Sequence, residues 1–111
     1  MYDQHIILDF EMNPVLKKYA EVRKHLHREI IEIGATKVSP DGRVLDTFSC
    51  FVKPKFSSDV AEYITKLTGI KTTDIYNAVS FSEAIQSIPP ADSHTTFRWQ
   101  SKTSLSHSFT P

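Results

Sequence analysis

The chain is 111 residues long, 40% hydrophobic, 11% aromatic and 23% charged, with 13 basic side chains against 13 acidic ones. That length fits one small domain with enough apolar material for a core, which excludes a chain disordered throughout. The zero formal charge removes any argument from a globally basic protein, and a single cysteine, Cys50, excludes an internal disulfide. The opening Met1-Tyr-Asp-Gln-His5 lacks the basic stretch and apolar core of a secretion signal, and no apolar run approaches ~18 residues. A cytoplasmic (intracellular) protein with no membrane partner is therefore expected.

The averages conceal a change of character near residue 87. Residues 1–86 carry 11 basic and 12 acidic side chains and all three glycines. Residues 87–111 carry two basic residues, one acidic residue, six serines, four threonines and three prolines. Low hydrophobicity with Ser, Thr and Pro predicts a loosely held end. The expected division is residues 1–88 as the folded part and residues 89–111 as a Ser/Thr/Pro-rich tail.

In chain order, His5-Ile-Ile-Leu-Asp-Phe10 reads as a buried central strand, because apolar residues pointing both ways need two covered faces. Asn13-Pro14 is expected to break it. Val15 to Arg28 is polar and basic and reads as an exposed loop with room for a helical turn. Glu29–Val38 and Val44–Val52 flank Ser39-Pro-Asp-Gly-Arg43, whose preset φ and following glycine predict a β-hairpin. Phe48, Cys50 and Val52 alternate with Thr47, Ser49 and Phe51, which assigns Cys50 to the core. Asp59-Val-Ala-Glu62 has the spacing of a capping box opening a helix, with Ile64 and Leu67 on one face and Gly69 as its left-handed terminator. A short turn at Thr72–Ile75 precedes a second box-capped helix from Ser80, carrying Phe81, Ala84, Ile85 and Ile88 and stopped by Pro89-Pro90. The order describes an α/β layered domain with its strands first.

Asp9 and Glu11 stand at i and i+2 at the end of the first strand, so alternation puts both carboxylates on one side. Two hard oxygen donors converging there suit Mg²⁺ or Mn²⁺. The plainer reading is a polar strand end emerging into solvent. An aspartate after Ile-Ile-Leu, however, must be paired, hydrogen-bonded or metal-bound to offset its desolvation. The basic run from Lys17 to Arg28 is either a solvated face or a contact for phosphates. Glu29 and Glu32 read as structural. A zinc site from His25, His27 and Cys50 lacks the second cysteine or spaced pair such a site needs.

Four blocks carry a resemblance: Ile7-Leu-Asp-Phe-Glu11, Glu29-Ile-Ile-Glu-Ile-Gly-Ala35, Asp46-Thr-Phe with Phe51-Val-Lys-Pro54, and Leu67-Thr-Gly-Ile70. Together, over residues 4–86, they resemble the DEDD-type 3′–5′ exonucleases of the ribonuclease-H-like fold, in the branch of the KapD-type and histone-mRNA exonucleases. The resemblance implies metal-dependent hydrolysis of phosphodiester bonds at nucleic-acid 3′ ends, with a two-metal site of Mg²⁺ or Mn²⁺. It makes Asp9 and Glu11 the first two of four acidic ligands. It makes Leu67, Thr68, Gly69 and Ile70 the wall against the terminal nucleotide of a single strand, RNA ahead of DNA; Met12, beside the carboxylates, is placed either to touch the same base or simply to pack.

The rest of the family pattern is not met. A third aspartate should follow a Trp-Gly-like strand; Thr95-Thr-Phe-Arg-Trp99 offers such a strand, but the aspartate position falls near Thr103. Asp74 and Asp92 precede that strand, and no aspartate follows His94 or His107, which leaves the general base without its companion ligand. The resemblance thus implies a truncated form of the fold, three N-terminal strands followed by helices, with impaired catalysis. The alternatives are a non-catalytic fragment that binds nucleic acid or protein, and a partial domain with an open sheet edge.

Overall fold

The structure, a computed structural model, describes residues 4–88 and 95–100. Its elements are β1 (Gln4–Pro14), α1 (Ala20–Arg23), β2 (Arg28–Val38), β3 (Val44–Phe51), α2 (Glu62–Thr68), α3 (Thr72–Ile75), α4 (Phe81–Gln86) and β4 (Thr95–Gln100). The strands form one sheet in the order β3-β2-β1-β4. The expected apolar strand is β1, and it is interior to the sheet as its composition requires. It runs antiparallel to β2 along its length and parallel to β4 from Gln4 to Asp9.

Two features of β1 depart from expectation. The strand continues through Asn13-Pro14, with Pro14 opposite Arg28, because a proline at a strand's last position sacrifices little of the ladder. Its second edge is also not open, since β4, drawn from the Ser/Thr/Pro-rich segment, pairs along it. A parallel partner needs a long crossover, which the stretch containing α2, α3 and α4 supplies. Pro89-Pro90 and the remaining tail positions lie outside the described residues.

The hairpin forms as its turn residues demand. Gly42 takes φ 88°, and Ser39 Oγ accepts from the Arg43 N–H while its proton goes to the Asp41 carboxylate, holding that carboxyl below its usual range.

Each face of the sheet is covered by different helices. Ile33, Val52 and Ala84 form one buried cluster with Phe10, Ile30, Phe48, Cys50 and Ile88 against it, so α4 covers this side. Ile31, Val60, Ile64, Ile70 and Ile75 form a second, with Phe51, beneath α2 and α3. Burial of this kind is the main stabilising contribution, about 1.5–3 kcal/mol per large aliphatic side chain. Cys50, expected in the core, is partly buried and packs against the first of these clusters. Of the apolar residues this last helix carries, Ala84 and Ile88 pack inward, while Phe81 and Ile85 are exposed.

The helix starts divide in the same way. Ser80 caps α4 by accepting from the Glu83 N–H at 3.2 Å. Asp59 does not cap α2, which begins three residues later, at Glu62, with Ala61 as N-cap and no local side-chain cap. Backbone donors ahead of the helix are taken by distant groups: the Val60 N–H by Thr72 Oγ1 at 3.0 Å and the Ala61 N–H by Asn13 Oδ1 at 2.9 Å. Gly69 ends α2 at φ 81°, as its position predicts.

Candidate metal and nucleotide site

Asp9, Glu11 and Asn13 succeed one another on the side of β1 that faces α2. Glu11 is buried and Asp9 half-buried, and each has one buried carboxylate oxygen, Asp9 Oδ1 and Glu11 Oε2. Across the ladder, Glu11 is opposite Glu32 and Asp9 opposite Gly34. A Cβ at Gly34 would stand 3.7 Å from that of Asp9, so glycine leaves space beside this aspartate open.

A β-bulge lies beside Glu11. Glu11 pairs with Glu32 but Met12 with Ile30, so β2 carries Ile31 as an extra residue. Bulges re-aim side chains. Here Ile31 joins the cluster under α2 while Ile33, two residues on, packs under α4. The bulge was invisible to strict alternation along Glu29–Val38.

Hard carboxylate oxygens on one strand face fit Mg²⁺ or Mn²⁺, which take such donors together with water and phosphate oxygens. They form a partial shell. Among the described residues no group of three His, Cys, Asp or Glu side chains is placed to hold a metal ion, so neither Glu32 nor the His25, His27, Cys50 set completes one. The Thr103, His94, Asp92 and His107 positions lie outside the described residues.

The other sequence-predicted site residues separate into three groups. Met12 projects to the opposite side of β1 from Glu11 and lines an apolar groove with Ile30 and Val52, so the structure does not bring it together with the carboxylates. Leu67 is 53% exposed on α2. Thr68 and Ile70 are turned to structural work: the Thr68 hydroxyl donates to the Ile64 carbonyl at 2.8 Å and accepts from the Ile70 N–H at 3.1 Å, while the Ile70 side chain is 4% exposed in the core. Gly69 is exposed and bare of side chain.

Two residues that sequence reasoning did not single out for the site hold its frame. Asn13, 1% exposed, donates from Nδ2 to the Asp59 carbonyl and accepts at Oδ1 from the Ala61 N–H, both at 2.9 Å. It ties the start of α2 to the strand that carries Asp9 and Glu11. Its only sequence signal is a polar residue in phase with Asp9 and Glu11. Glu29, read as structural, is so: its carboxylate accepts from the Lys55 and Phe56 N–H groups and the Ser57 hydroxyl, each at 2.8 Å. Glu29→Gln puts an amide NH₂ against one of these donors and removes the charge from the rest. The expected cost is about 1–3 kcal/mol, read as a lower urea midpoint at unchanged m.

Comparison with known proteins agrees with this architecture. The RNase T family model, described as Exonuclease, matches residues 6–89. Among solved structures, a full-length 3′-exonuclease superposes with TM-score 0.68 at 19% identity, covering 90% of this chain and 46% of that one. The nuclease domain of 3'hExo, described as a DEDDh family member bound to rAMP, gives 0.67 at 19% identity, with 90% and 52% covered. Cell-death related nuclease 4 gives 0.64 at 20% identity, with 94% and 37% covered. A search of curated proteins gives no match. The chain spans about half the length, or less, of the solved structures it matches. By its family match this chain belongs to the RNase T exonuclease family, and it carries the N-terminal portion of the ribonuclease-H-like exonuclease fold.

Proposed function

We propose that this chain takes part in Mg²⁺- or Mn²⁺-dependent 3′–5′ hydrolysis of single-stranded nucleic acid, with RNA preferred over DNA. The observation that carries the reading is the placement of Asp9 and Glu11 on one face of the central strand of an exonuclease fold. The preference for RNA is supported by two solved relatives, one described as bound to rAMP and one as recognising the 3′ end of a histone mRNA stem-loop.

In this reading Asp9 and Glu11 hold the metal ions through their carboxylates. Bound divalent ions supply activation of water and neutralisation of charge at the scissile phosphate. Leu67 offers its exposed side chain to the terminal base, and Gly69 lets the nucleotide approach the backbone. Thr68 and Ile70 fix the shape of that wall, and Met12 supports β1 from the other side. Residues 95–100, expected within a separate tail, form β4 beside β1 and so belong to the sheet that carries Asp9 and Glu11. With two carboxylates in place of four, the 111 residues alone should hold metal weakly and turn over slowly.

A non-catalytic binding role is the alternative, favoured by the absence of a three-ligand cluster among the described residues and by the exposed Lys17, Lys18 and Lys24. Incubation of 5′-labelled single-stranded RNA and DNA with excess protein and Mn²⁺ separates the two. A ladder shortening from the 3′ end, faster for RNA and stopped by chelator, supports hydrolysis. No product with either metal overturns it, and salt-sensitive RNA binding that survives Asp9→Ala then favours the binding role.

A further inference from the structure

Helix α2 turns two large apolar side chains to solvent on one flank. Tyr63 and Leu67 are each 53% exposed, whereas Ile64 between them is buried in the cluster that seats the helix. Residues four apart on a helix are neighbours, with Cβ atoms about 5–6 Å from each other. The Tyr63 ring takes no part in the cluster around Ile64. Among the described residues it makes no stacking contact and its hydroxyl no hydrogen bond, so the ring is open to a ligand.

The flank is close to the carboxylates. The bond from the Ala61 N–H to Asn13 Oδ1 pins the start of α2 to β1 two residues beyond Glu11, about 7 Å along a strand. The charges around it do not attract phosphate. Glu62 pairs with Lys66 at 3.3 Å, and exposed Asp59 and Asp74 offset the exposed Lys71 that follows Ile70. What the flank offers is a free ring beside an aliphatic side chain.

We infer, on the reading above that gives the terminal base to Leu67, that Tyr63 is the platform on which the penultimate base of a single-stranded 3′ end stacks, so that the site grips two unpaired nucleotides rather than one. Every base has a π-face, so such a contact is indifferent to sequence. It does require the base to leave a duplex, because a paired base is already covered on both faces by its neighbours. Tyr63 thereby selects for an unpaired end, and it does so without a phosphate contact.

Binding to the full chain is read by fluorescence anisotropy in chelator, where no strand is trimmed. The probes are 5′-labelled single-stranded oligoadenylates: one intact, one abasic at the penultimate position and one abasic at the terminal position. Tyr63→Ala should weaken binding of the intact strand about fivefold or more, equally at low and high salt, while Tyr63→Phe binds as the unmodified chain does. On the penultimate-abasic strand Tyr63→Ala should change nothing, and the unmodified chain should itself bind that strand about fivefold more weakly. Leu67→Ala should lose its effect on the terminal-abasic strand instead. Tyr76→Ala, which removes a still more exposed tyrosine beyond α3, should be silent. A silent Tyr63→Ala, or one that loses as much on the penultimate-abasic strand, would overturn the role of Tyr63 and leave the hydrolytic reading standing. Absence of binding to every strand by the unmodified chain would overturn both. The comparison of strands on the unmodified chain keeps the test decisive if Tyr63→Ala fails to fold.

Discussion

Asp9→Asn should reduce metal-dependent trimming by about 10²–10³-fold while leaving the fold intact. Asparagine preserves the size of the side chain but removes one negative charge and one carboxylate donor from the metal position. A loss of several kcal/mol in charge stabilisation, at about 1.4 kcal/mol per factor of ten, gives that range. Single-turnover measurements with saturating protein read the effect on the chemical step. Stability should change far less, because asparagine keeps the size and hydrogen-bonding shape of the side chain opposite Gly34. Loss of activity with nearly unchanged stability separates a ligand from a structural residue; a parallel loss of both would count against the assignment.

Asn13→Ala should cost about 2–4 kcal/mol of folding free energy, the largest effect expected of any single polar side chain here. The side chain is buried and makes two hydrogen bonds, and its loss leaves the Ala61 N–H and the Asp59 carbonyl unsatisfied in a water-poor setting. Asn13→Asp keeps the acceptor toward Ala61, loses the donor toward Asp59 and buries a charge, so it should rescue little. Urea denaturation followed by circular dichroism measures the loss. Because α2 ends in Leu67 and the Gly69 turn, weaker docking of its first turn should also increase amide exchange across Ile64–Ile70. A loss below about 1 kcal/mol would show that the apolar cluster around Ile64 holds α2 without Asn13.

Local signals were legible in the sequence and non-local ones were not. Pro-Asp-Gly specified the hairpin, Gly69 the end of α2 and Ser80 the start of α4, because in each case the bonding partners lie within a few residues. The start of α2 was misplaced because Asn13 and Thr72, far along the chain, take the N–H groups of Ala61 and Val60 and hold the chain extended past Asp59. Asp9 and Glu11 were placed on a common face by strand alternation, and the family match covers both. Met12, adjacent in sequence, was grouped with them by proximity alone, although that same alternation sends it to the other side of the sheet. The bulge opposite Glu11 and the pairing of β4 with β1 depend on which strand lies alongside, which no local pattern specifies.

Mn²⁺ titration of the isotopically labelled chain tests most directly whether Asp9 and Glu11 act together as a metal-binding pair. Paramagnetic broadening should begin at the amides of residues 9–11 and at Gly34, saturate, and be displaced by excess Mg²⁺. Asp9→Asn should remove it. Broadening scattered over the acidic surface, or centred on 9–11 yet unchanged in Asp9→Asn, would contradict the assignment.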